Sequence, residues 1–281
     1  MIRILITGAK GYIGSFLLKE LQFKYEVFGA SLNGKHNTKI IPLDIRDKKV
    51  VLKYLAFLKP DIIIHAGALS NVKVCEENPL KAFETNVQGT LNIVEGANII
   101  NAKVIFISSL ASITPSNIYG KTKYDAENLI KTVTAGYEIL QLSMTFGLSP
   151  NTTNHRPFNK IISTMKTGYP KAYDNHWKFQ PTYIKQVILT IEKLLEKSFL
   201  GRCLPLVVKE SCTMYQIATD IFPNNNIESA NLYSPRNEQI ITYDTSFESY
   251  FPMYSYSLMI DDIKKELSFA FNLGSGTKNS T

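Results

Sequence analysis

The sequence has little cysteine and histidine and no long apolar run, and each absence excludes a class of protein. Its three cysteines and four histidines, among 281 residues, lie far apart and lack the CxxC or finger-type spacing of a metal site. No window approaches the ~18 to 20 unbroken apolar residues of a membrane-spanning helix. The first residues, MIRILITGAKGYIG, lack the apolar core and cleavage site of a signal peptide. We therefore expect a cytoplasmic protein with no metal site and no membrane contact.

Concentrated charge is also missing. The 31 Lys and Arg residues exceed the 24 Asp and Glu residues, which gives a formal net charge of +7. An excess of this sign suits an anionic small molecule and also suits nucleic acid. Because the basic residues are spread along the chain without a run of five or more, we expect no nucleic-acid partner and favour the small anionic ligand.

Apolar runs alternate with helical patterns through the first half of the chain. The runs IRILIT, DIIIHAGA and KVIFISS are short, continuous and apolar, as strands are when both faces of a sheet are covered. Repeated alternation of strand and helix predicts the α/β class. The expected fold is a doubly wound parallel sheet of the Rossmann type, covered by helices on both faces, with a smaller C-terminal α/β lobe.

The alternation stops after Phe146, and this change sets the predicted domain boundaries. Residues 148–181 are rich in Asn, Thr, Pro and Lys, which is typical of loops. The first domain is expected to span 1–147, and 182–198 is expected to return to it. The second lobe is expected to comprise 148–181 and 199–273, followed by a flexible tail over 274–281.

A glycine-rich turn, TGAKGYIG, follows the first predicted strand and opens a helix. Glycine permits the tight turn, lets the backbone approach a pyrophosphate, and lets helix and strand pack closely. The helix N-terminus then offers free N–H groups and a positive dipole end to phosphates. The context of strand, turn and helix predicts a dinucleotide site rather than a glycine turn without a ligand. The expected contacts are Gly8, Lys10, Gly11, Tyr12, Ile13 and Gly14.

The end of the second strand, GASLNGK, has no carboxylate. An Asp or Glu there would bind the 2′-hydroxyl of NAD and repel a 2′-phosphate. Ser31, Asn33 and Lys35 can instead hydrogen-bond or neutralise a phosphate, and Lys10 is a second nearby cation. The pattern favours NADP(H), with NAD(H) as the alternative, and it leaves open whether Lys35 contacts the cofactor or only solvent.

The stretch SSLASITPSNIYGKTK (108–123) places Tyr119 and Lys123 four residues apart. On a helix these positions share a face, so the ammonium of Lys123 can lower the pKa of the Tyr119 phenol. A tyrosine tuned in this way can exchange a proton with a carbonyl oxygen while hydride moves at carbon. Ser109 is the expected hydroxyl partner of that oxygen, and Ser108 is the second choice. The alternative is a polar loop that runs into an ordinary helix.

These motifs together resemble the extended short-chain dehydrogenase/reductase family. The strings TGAKGYIG, LDIRD, HAGA, ETNVQGT, FISS and YGKTK occur in the order of that family, and FQPTYIKQV resembles the start of its returning segment. The overall length and the PTY string are most similar to the dTDP-4-dehydrorhamnose reductase branch. That branch reduces a 4-keto group on a nucleotide-linked 6-deoxysugar.

The resemblance implies roles for residues that spacing alone does not assign. Asn86 is expected in the fourth helix, where it would organise a water behind the tyrosine and lysine; the alternative is an ordinary interior amide. The resemblance also allows a homodimer. The further cofactor contacts that it implies are Asp44 and Ile45 beside the adenine, Ala66, Gly67 and Ala68 after the fourth strand, and Ser108, Tyr119 and Lys123.

Two departures from the family pattern narrow the chemistry. Dehydratases of the family carry acidic residues directly after the strand-five hydroxyl, where this chain has Leu110 and Ala111, so dehydration is disfavoured. The segment between Ser109 and Tyr119 is shorter than is usual in the family. Ten residues of chain still extend about 33 Å, so the active-site geometry is allowed, with a more open pocket.

The second lobe is expected to bind a nucleotide-sugar substrate. HRPFNK and NHWKFQ are its densest clusters of polar and aromatic residues, and a pyrophosphate requires cations. Arg156 and Lys178 are expected near phosphate, with solvated surface charge as the alternative for each. The full set of candidates is Asn154, His155, Arg156, Lys160, Lys171, Trp177 and Lys178. Arg202 and Arg236 are weaker candidates.

Three functions stay open at this stage. The leading one is NADPH-dependent reduction of a 4-keto nucleotide-sugar, in which Tyr119 protonates the oxygen, Lys123 tunes Tyr119, and Ser109 orients the carbonyl. The second is a nucleotide-sugar 4-epimerase that uses the same residues with tightly held NAD. The third is a cofactor-binding regulatory subunit without turnover, which the altered serine–tyrosine segment keeps open.

Overall fold

The chain folds into two compact units. The structure, a computed structural model, describes residues 1–35, 38–153, 156–167, 171–232, 240–241 and 253–275. The first unit contains Met1–Leu142, Ser149–Asn154 and Ile191–Leu206, and the second contains Ser143–Leu148, His155–Thr190 and Val207–Thr281.

The first unit is built on a seven-stranded sheet in which neighbouring strands are parallel. Numbered in chain order through the whole molecule, its strands are β1 Arg3–Thr7, β2 Glu26–Ser31, β3 Ile40–Pro42, β4 Ile62–His65, β5 Lys103–Ser109, β6 Tyr137–Leu142 and β10 Arg202–Leu206. The order across the sheet is β10-β6-β5-β4-β1-β2-β3. The predicted doubly wound parallel sheet of the Rossmann type is therefore confirmed.

The helices of this unit are α1 Tyr12–Leu21, α2 Lys48–Leu58, α3 Val72–Glu77, α4 Pro79–Phe83, α5 Gly89–Ile100 and α6 Ile118–Ile130. A π-helical turn, Glu84–Gln88, joins α4 to α5, and a 3₁₀ turn, Leu110–Ser112, follows β5. The side chains of Asp47, Asn71 and Asn117 each accept a backbone N–H from the first turn of a helix. Caps of this kind satisfy donors that a helix N-terminus leaves free, and they determine where α2, α3 and α6 begin.

Apolar side chains of the strands and helices form the core of the first unit. Leu5, Ile63 and Val104 of the central strands are fully buried, and they belong to one cluster with Leu55 of α2 and Ile93 of α5. Continuous apolar strands are expected where helices cover a parallel sheet. This packing gives the loops at the strand ends a fixed base.

The second unit contains two short parallel strand pairs, β7 with β9 and β8 with β11. Its elements are β7 Thr145–Phe146, α7 Pro157–Thr167, β8 Lys171–Asp174, β9 Thr182–Tyr183, α8 Ile184–Leu195, α9 Met214–Ile221, β11 Ile227–Ala230 and α10 Tyr256–Ser275. The last residues of α8, from Ile191, belong to the first unit. Phe179 stacks on Trp177 with the ring centres 5.0 Å apart and on Phe146 with the ring centres 6.2 Å apart, so Trp177 packs on the aromatic core of this unit.

One domain boundary differs from the sequence-based expectation. Residues 199–273 are expected in the second lobe, but Arg202–Leu206 forms β10 and joins the main sheet beside β6. The carboxylate of Glu138 is fully buried there and lies 2.9 Å from the Arg202 guanidinium. A buried carboxylate requires a partner of this kind, and the partner comes from β10. Helix α1 begins at Tyr12, with Gly11 as its N-cap residue.

Within the residues that the structure describes, none of the helices combines the length and the apolar character needed to cross a bilayer.

Candidate active site

The candidate site lies along one edge of the main sheet. Because the strands are parallel, their carboxyl ends meet at the same edge, and β1 is flanked there by β4 on one side and β2 on the other. Connections that leave in opposite directions from such a point open a crevice in which ligands bind. The glycine turn after β1, the loop after β4 and the serines that end β5 are all at this edge.

The glycine turn is compact enough to exclude side chains. Gly8 has a φ of +67°, and a Cβ built on it would lie 2.8 Å from backbone atoms of Ala66 and Gly67. A Cβ on Gly14 would lie 2.2 Å from the carbonyl oxygen of Gly8. Both distances are shorter than a carbon can tolerate, so glycine is required at each position. The turn therefore packs directly on the loop after β4, as a dinucleotide cradle does.

The N-terminus of α1 has the character of an anion site. Gly11 is its N-cap residue, no side chain in the described part of the chain caps it, and its first turn contains no acidic residue. The backbone N–H groups and the positive end of the helix dipole therefore face outward without a competing carboxylate. A pyrophosphate fits this arrangement. Of the predicted contacts, Tyr12 is buried, Ile13 is half-buried, and Lys10 and Gly11 are exposed.

Two residues after β7 stabilise the glycine turn, and the sequence reasoning missed them. The hydroxyl of Ser149 donates to the carbonyl oxygen of Tyr12 at 2.7 Å, and the side-chain amide of Asn151 donates to the carbonyl oxygen of Lys10 at 2.5 Å. No local signal connects residues that are 137 and 141 positions apart in the chain. These bonds hold two carbonyl groups of the turn and thereby help to orient its N–H groups.

The predicted 2′-phosphate residues come together at the end of β2. The ammonium of Lys10 donates to the carbonyl oxygen of Asn33, which brings the glycine turn and the residues after β2 into contact. The backbone N–H of Lys35 donates to the carbonyl oxygen of Ile40 at 3.0 Å, which connects the residues after β2 to the first residue of β3. Lys10, Asn33 and Lys35 are exposed, and Ser31 is half-buried. Lys10 and Lys35 are thus two exposed cations near the end of β2, and their contact with a 2′-phosphate stays a prediction.

Asp44, which was expected beside the adenine, is held by its own neighbour. Both of its carboxylate oxygens accept hydrogen bonds from the Arg46 guanidinium, at 2.7 to 3.2 Å. These bonds hold the pKa of the Asp44 carboxyl below its usual range. The adjacent Ile45 is buried and packs on Gly89, where an added Cβ would lie 2.8 Å from the Ile45 side chain.

His65 is the centre of a buried hydrogen-bond chain below the β4 loop, and the sequence reasoning did not identify it. The Thr90 hydroxyl donates to the carbonyl oxygen of Asn86 at 2.6 Å, so it accepts from His65 Nε2, 3.1 Å away. His65 Nδ1 then accepts from the Thr7 hydroxyl at 2.7 Å. Thr7 in turn accepts from the N–H of Gly67 at 3.1 Å. The two bonds to the ring together require the neutral Nε2–H tautomer.

The charge state of His65 agrees with this chain of bonds. The ring is fully buried, and burial, reinforced by the charge of Lys123, lowers the pKa of His65 to about 3. The imidazole therefore stays neutral at ordinary pH. It connects the last residue of β1 to the loop after β4, which places Ala66, Gly67 and Ala68, all half-buried, beside the glycine turn.

Lys123 lies deep beneath the carboxyl end of β5. Only 2% of it is exposed, and its ammonium donates to the carbonyl oxygen of Ile107 at 2.9 Å. The same nitrogen lies 3.8 Å from the centre of the Phe106 ring, a cation–π distance. Burial lowers the pKa of Lys123 to about 7, while the charge of Glu127 opposes this shift. The ammonium of Lys123 is therefore more acidic than that of an exposed lysine.

Tyr119 lies one helical turn before Lys123, in the first turn of α6, and is half-buried. Two side chains accept hydrogen bonds from backbone N–H groups in the first turn of this helix. The side chain of Asn117 accepts from the N–H of Gly120 at 2.8 Å, and the carboxylate of Glu76 in α3 accepts from the N–H of Ile118 at 2.6 Å. The orientation of the helix that carries Tyr119 is therefore set from both α3 and its own cap.

The two serines at the end of β5 have different environments. The hydroxyl of Ser108 is buried and donates to the carboxylate of Glu127, so this predicted cofactor contact is engaged in the interior. Ser109 is half-buried, and its oxygen accepts from the N–H of Ala111 at 3.2 Å. A hydroxyl has one proton to donate and two acceptor positions, and this bond uses an acceptor position of Ser109 rather than its proton.

Asn86 lies in the π-helical turn rather than in a regular helix. Its amide oxygen accepts from the N–H of Leu69 at 2.7 Å, and its amide nitrogen donates to Leu69 O and to Thr122 Oγ1, both at 3.0 Å. Asn86 thus fastens the loop after β4 to α6. Both amide protons bind protein groups, which corresponds to the interior-amide alternative more closely than to a water-organising side chain.

The predicted substrate residues belong to the second unit. Arg156 is half-buried directly before α7, and Lys178 is exposed between Trp177 and Phe179. His155 and Arg236 lie outside the described residues. Arg202 pairs with Glu138 at the amino ends of β10 and β6, the edge opposite the glycine turn. This ion pair makes Arg202 a structural residue and corrects its assignment as a phosphate ligand.

The chain is similar to known proteins over most of its length. Residues 4–176 match the NAD dependent epimerase/dehydratase family. The rat (Rattus norvegicus) methionine adenosyltransferase 2 subunit beta is 26% identical over 249 residues, which are 82% of this chain and 74% of that protein. A dTDP-4-dehydrorhamnose reductase of Aggregatibacter actinomycetemcomitans is 31% identical over 163 residues, which are 52% of this chain and 53% of that protein.

A solved structure shares the same fold. The dTDP-4-dehydrorhamnose reductase from Bacillus anthracis, determined in complex with NADP, superimposes with a TM-score of 0.80 at 22% identity, and the match covers 95% of this chain and 99% of that chain. The family match covers more than half of the chain and includes the glycine turn, the β4 loop, the serines of β5 and the Tyr119–Lys123 helix. This chain therefore belongs to the NAD dependent epimerase/dehydratase family of extended short-chain dehydrogenases/reductases.

Proposed function

We propose that the chain is an NADPH-dependent reductase of a 4-keto group on a nucleotide-linked 6-deoxysugar. The observation that carries this proposal is the position of Lys123. It lies buried one helical turn after Tyr119, against the last residues of β5 and on the same edge of the sheet as the glycine turn. A lysine is rarely buried without a function or a partner, and here it faces the strand that ends in Ser109.

The residues at the sheet edge fit a nicotinamide dinucleotide. The turn from Gly8 to Gly14 and the N-terminus of α1 would hold its pyrophosphate. Lys10 and Lys35 would neutralise a 2′-phosphate, and Asp44 and Ile45 would lie beside the adenine. The half-buried residues Ala66–Ala68 would line the part of the dinucleotide that extends from the glycine turn toward β5. When bound, the cofactor supplies the hydride that a carbonyl reduction requires.

In this proposal the residues of α6 and β5 handle the carbonyl oxygen. The phenol of Tyr119 gives its proton to that oxygen as negative charge develops on it. The ammonium of Lys123 stabilises the tyrosinate that remains. Among the residues that the structure describes, its bond to Ile107 leaves two of its three donors. The hydroxyl of Ser109 donates a hydrogen bond to the same oxygen and orients it. Arg156 and Lys178 are proposed to contact the nucleotide portion of the substrate.

The proposal is tested by turnover with defined substrates. Purified chain is mixed with NADPH and with 4-keto-6-deoxysugars linked to dTDP, UDP, GDP or CDP, and loss of the reduced-nicotinamide absorbance is followed. We expect turnover with at least one of the four and a thermal shift with NADPH. A chain that binds NADPH and reduces none of them contradicts the reductase proposal.

The 4-epimerase alternative is supported by the family to which the chain belongs. It would use the same tyrosine and lysine but would oxidise and re-reduce one sugar with retained NAD. Nicotinamide absorbance that stays with the protein through gel filtration favours the epimerase, whereas freely exchanging NADPH favours the reductase.

A non-catalytic alternative is supported by the matches to methionine adenosyltransferase 2 subunit beta, which cover 82% of this chain. A regulatory subunit of this kind would bind a nicotinamide dinucleotide without turning over a sugar. The observations that distinguish it are cofactor binding with no turnover of any keto or hydroxy sugar, and co-purification with a catalytic subunit.

A further inference from the structure

Glu127 is a buried carboxylate that the mechanism above does not use. It lies on α6 one turn after Lys123, and only 4% of it is exposed. Residues four apart on a helix are neighbours on one face, so a buried cation and a buried anion lie side by side below the end of β5. A carboxylate is almost never buried without hydrogen-bond partners.

The partners of Glu127 come from three segments other than its own helix. It accepts hydrogen bonds from Ser108, at the end of β5, and from Ser112, at the end of the 3₁₀ turn. The side-chain amide of Gln141 in β6 donates to both of its oxygens at 3.1 Å. One carboxylate thereby connects α6 to β5, to the 3₁₀ turn and to β6.

These bonds lie on both sides of Ser109 along the chain. Ser108 precedes Ser109 directly, and Ser112 closes the turn whose N-cap is Ser109. The same carboxylate therefore holds Ser108, directly before Ser109, and Ser112, three residues after it, and so restrains the backbone that carries the Ser109 hydroxyl.

Glu127 also determines the electrostatic surroundings of Lys123. The groups that act on the ammonium are Glu127 on its own helix, His65 at the end of β4, and the Ile107 carbonyl and Phe106 ring of β5. His65 is neutral, as its hydrogen bonds require, and a carbonyl or a ring provides no net charge. The negative charge that stabilises a protonated Lys123 therefore comes from Glu127.

We propose that Glu127 is a positioning residue for the proposed reaction: its carboxylate orients Ser109 through Ser108 and Ser112 and keeps Lys123 protonated beside Tyr119. This inference rests on the proposed function of Ser109, Tyr119 and Lys123. It adds to that function a residue that touches neither substrate nor cofactor.

Three variants of the full-length chain separate charge from packing. Glu127→Gln removes the charge and keeps the shape. The double variant Glu127→Gln with Gln141→Glu keeps one carboxylate and one amide in the same cluster but moves the charge from α6 to β6. Asp125→Asn is the matched control, because it removes one negative charge from the exposed face of the same helix.

The first measurement does not depend on activity. Isotope-labelled lysine is incorporated, the Lys123 side-chain signal is assigned by its loss in Lys123→Met, and its titration is followed by NMR without ligand. We expect the midpoint to fall by about one pH unit or more in Glu127→Gln and to stay unchanged in Asp125→Asn. An unchanged midpoint in Glu127→Gln overturns the electrostatic part of the proposal.

The second measurement is the pH profile of turnover. We expect kcat near neutral pH to fall about tenfold or more in Glu127→Gln, with KM for NADPH within about twofold, and the profile to shift with the Lys123 midpoint. The double variant should recover thermal stability but not the wild-type profile. If stability and kcat are both recovered by the double variant, or the profile never moves, Glu127 is merely structural and the proposal is overturned. If the proposed function fails and this inference holds, the wild-type chain shows no turnover. The titration midpoint of Lys123 still differs between the wild type and Glu127→Gln.

Discussion

The ammonium of Lys123 lies 3.8 Å from the centre of the Phe106 ring, in the interior of the protein and not at its surface. A lysine in this position loses most of its hydration, so its proton is released far more readily than in water. Its pKa of about 7 lies close to the pH at which a proton relay must operate. The same burial also has consequences for stability, which can be measured without a substrate.

Lys123→Met should change how stability depends on pH. The Lys123 pKa is lowered in the folded chain, so between about pH 7 and the unfolded value near 10.5 the unfolded chain binds more protons than the folded one. The stability of the wild-type protein should therefore rise with pH across this window, by at most about 1.4 kcal/mol per pH unit from this group. Urea unfolding from pH 6 to pH 10 should show the slope reduced in Lys123→Met.

The exposed Lys121, on the same helix, provides the control for this experiment. Lys121→Met should retain the wild-type slope. Equal slopes for the wild type and Lys123→Met would mean that Lys123 is not buried as described.

His65→Gln should weaken the acid sensitivity of the fold. The His65 pKa is lowered to about 3 in the folded chain, against an ordinary value of 6.5, so between these values only the unfolded chain takes up the proton. Wild-type stability should consequently be lost as the pH falls from 6.5 toward 3. Thermal unfolding between pH 7 and pH 4 should show a smaller decrease in melting temperature for His65→Gln than for the wild type.

His176 is exposed and gives the matched variant for the acid experiment. His176→Gln should follow the wild-type curve. If the melting temperature falls as steeply between pH 7 and pH 4 in His65→Gln as in the wild type, the imidazole of His65 is not buried and neutral as described.

Tyr119→Phe should abolish most of the turnover while the protein still binds NADPH. Loss of the phenolic proton removes the acid, and general acid catalysis is worth roughly 10² to 10⁴ in rate. Steady-state kinetics and a thermal shift with NADPH provide the two measurements. The exposed Tyr124 of the same helix is the control, and Tyr124→Phe should keep wild-type kcat. Retained activity in Tyr119→Phe would remove the proton-donor role.

Changing Lys10 and Lys35 to Ala together should weaken NADPH binding more than NADH binding. Both ammonium groups are exposed near the end of β2, and Lys10 contacts the backbone of Asn33. Loss of two cations beside a 2′-phosphate should cost about tenfold or more in the Kd of NADPH, whereas NADH has no group there.

Lys19, an exposed lysine in the last turn of α1, controls for the loss of positive charge. Lys19→Ala should leave the Kd of both dinucleotides within about twofold. Equal weakening of NADPH and NADH by the double substitution would refute the 2′-phosphate assignment.

Local spacing predicted the parts of the site that lie within one element or one turn. Gly8, Gly11 and Gly14 follow a strand and open a helix, and Tyr119 and Lys123 lie one helical turn apart. Each pattern lies within one short stretch of backbone, so it can be interpreted without knowledge of the rest of the fold. The i, i+4 relation of Lys123 and Glu127 was equally visible, but nothing in the sequence indicated that both side chains are buried.

The remaining assignments depend on contacts between distant segments. Ser149 and Asn151 bind the glycine turn from more than a hundred residues away, and Glu138 draws Arg202 into the main sheet as part of β10. Such contacts are set by which strands become neighbours, and strand order cannot be read from the pattern of any one strand.

The sequence by itself determined the class of fold, the dinucleotide turn and the tyrosine–lysine pair, because each depends on the periodicity of a continuous stretch of backbone. Only the tertiary structure decided which of the two serines turns inward, how His65 connects β1 to the loop after β4, and how deeply Lys123 is buried. These properties arise from the packing of α6 against β5 and β6, where loss of water sets the protonation of Lys123 and a single buried carboxylate holds the end of β5.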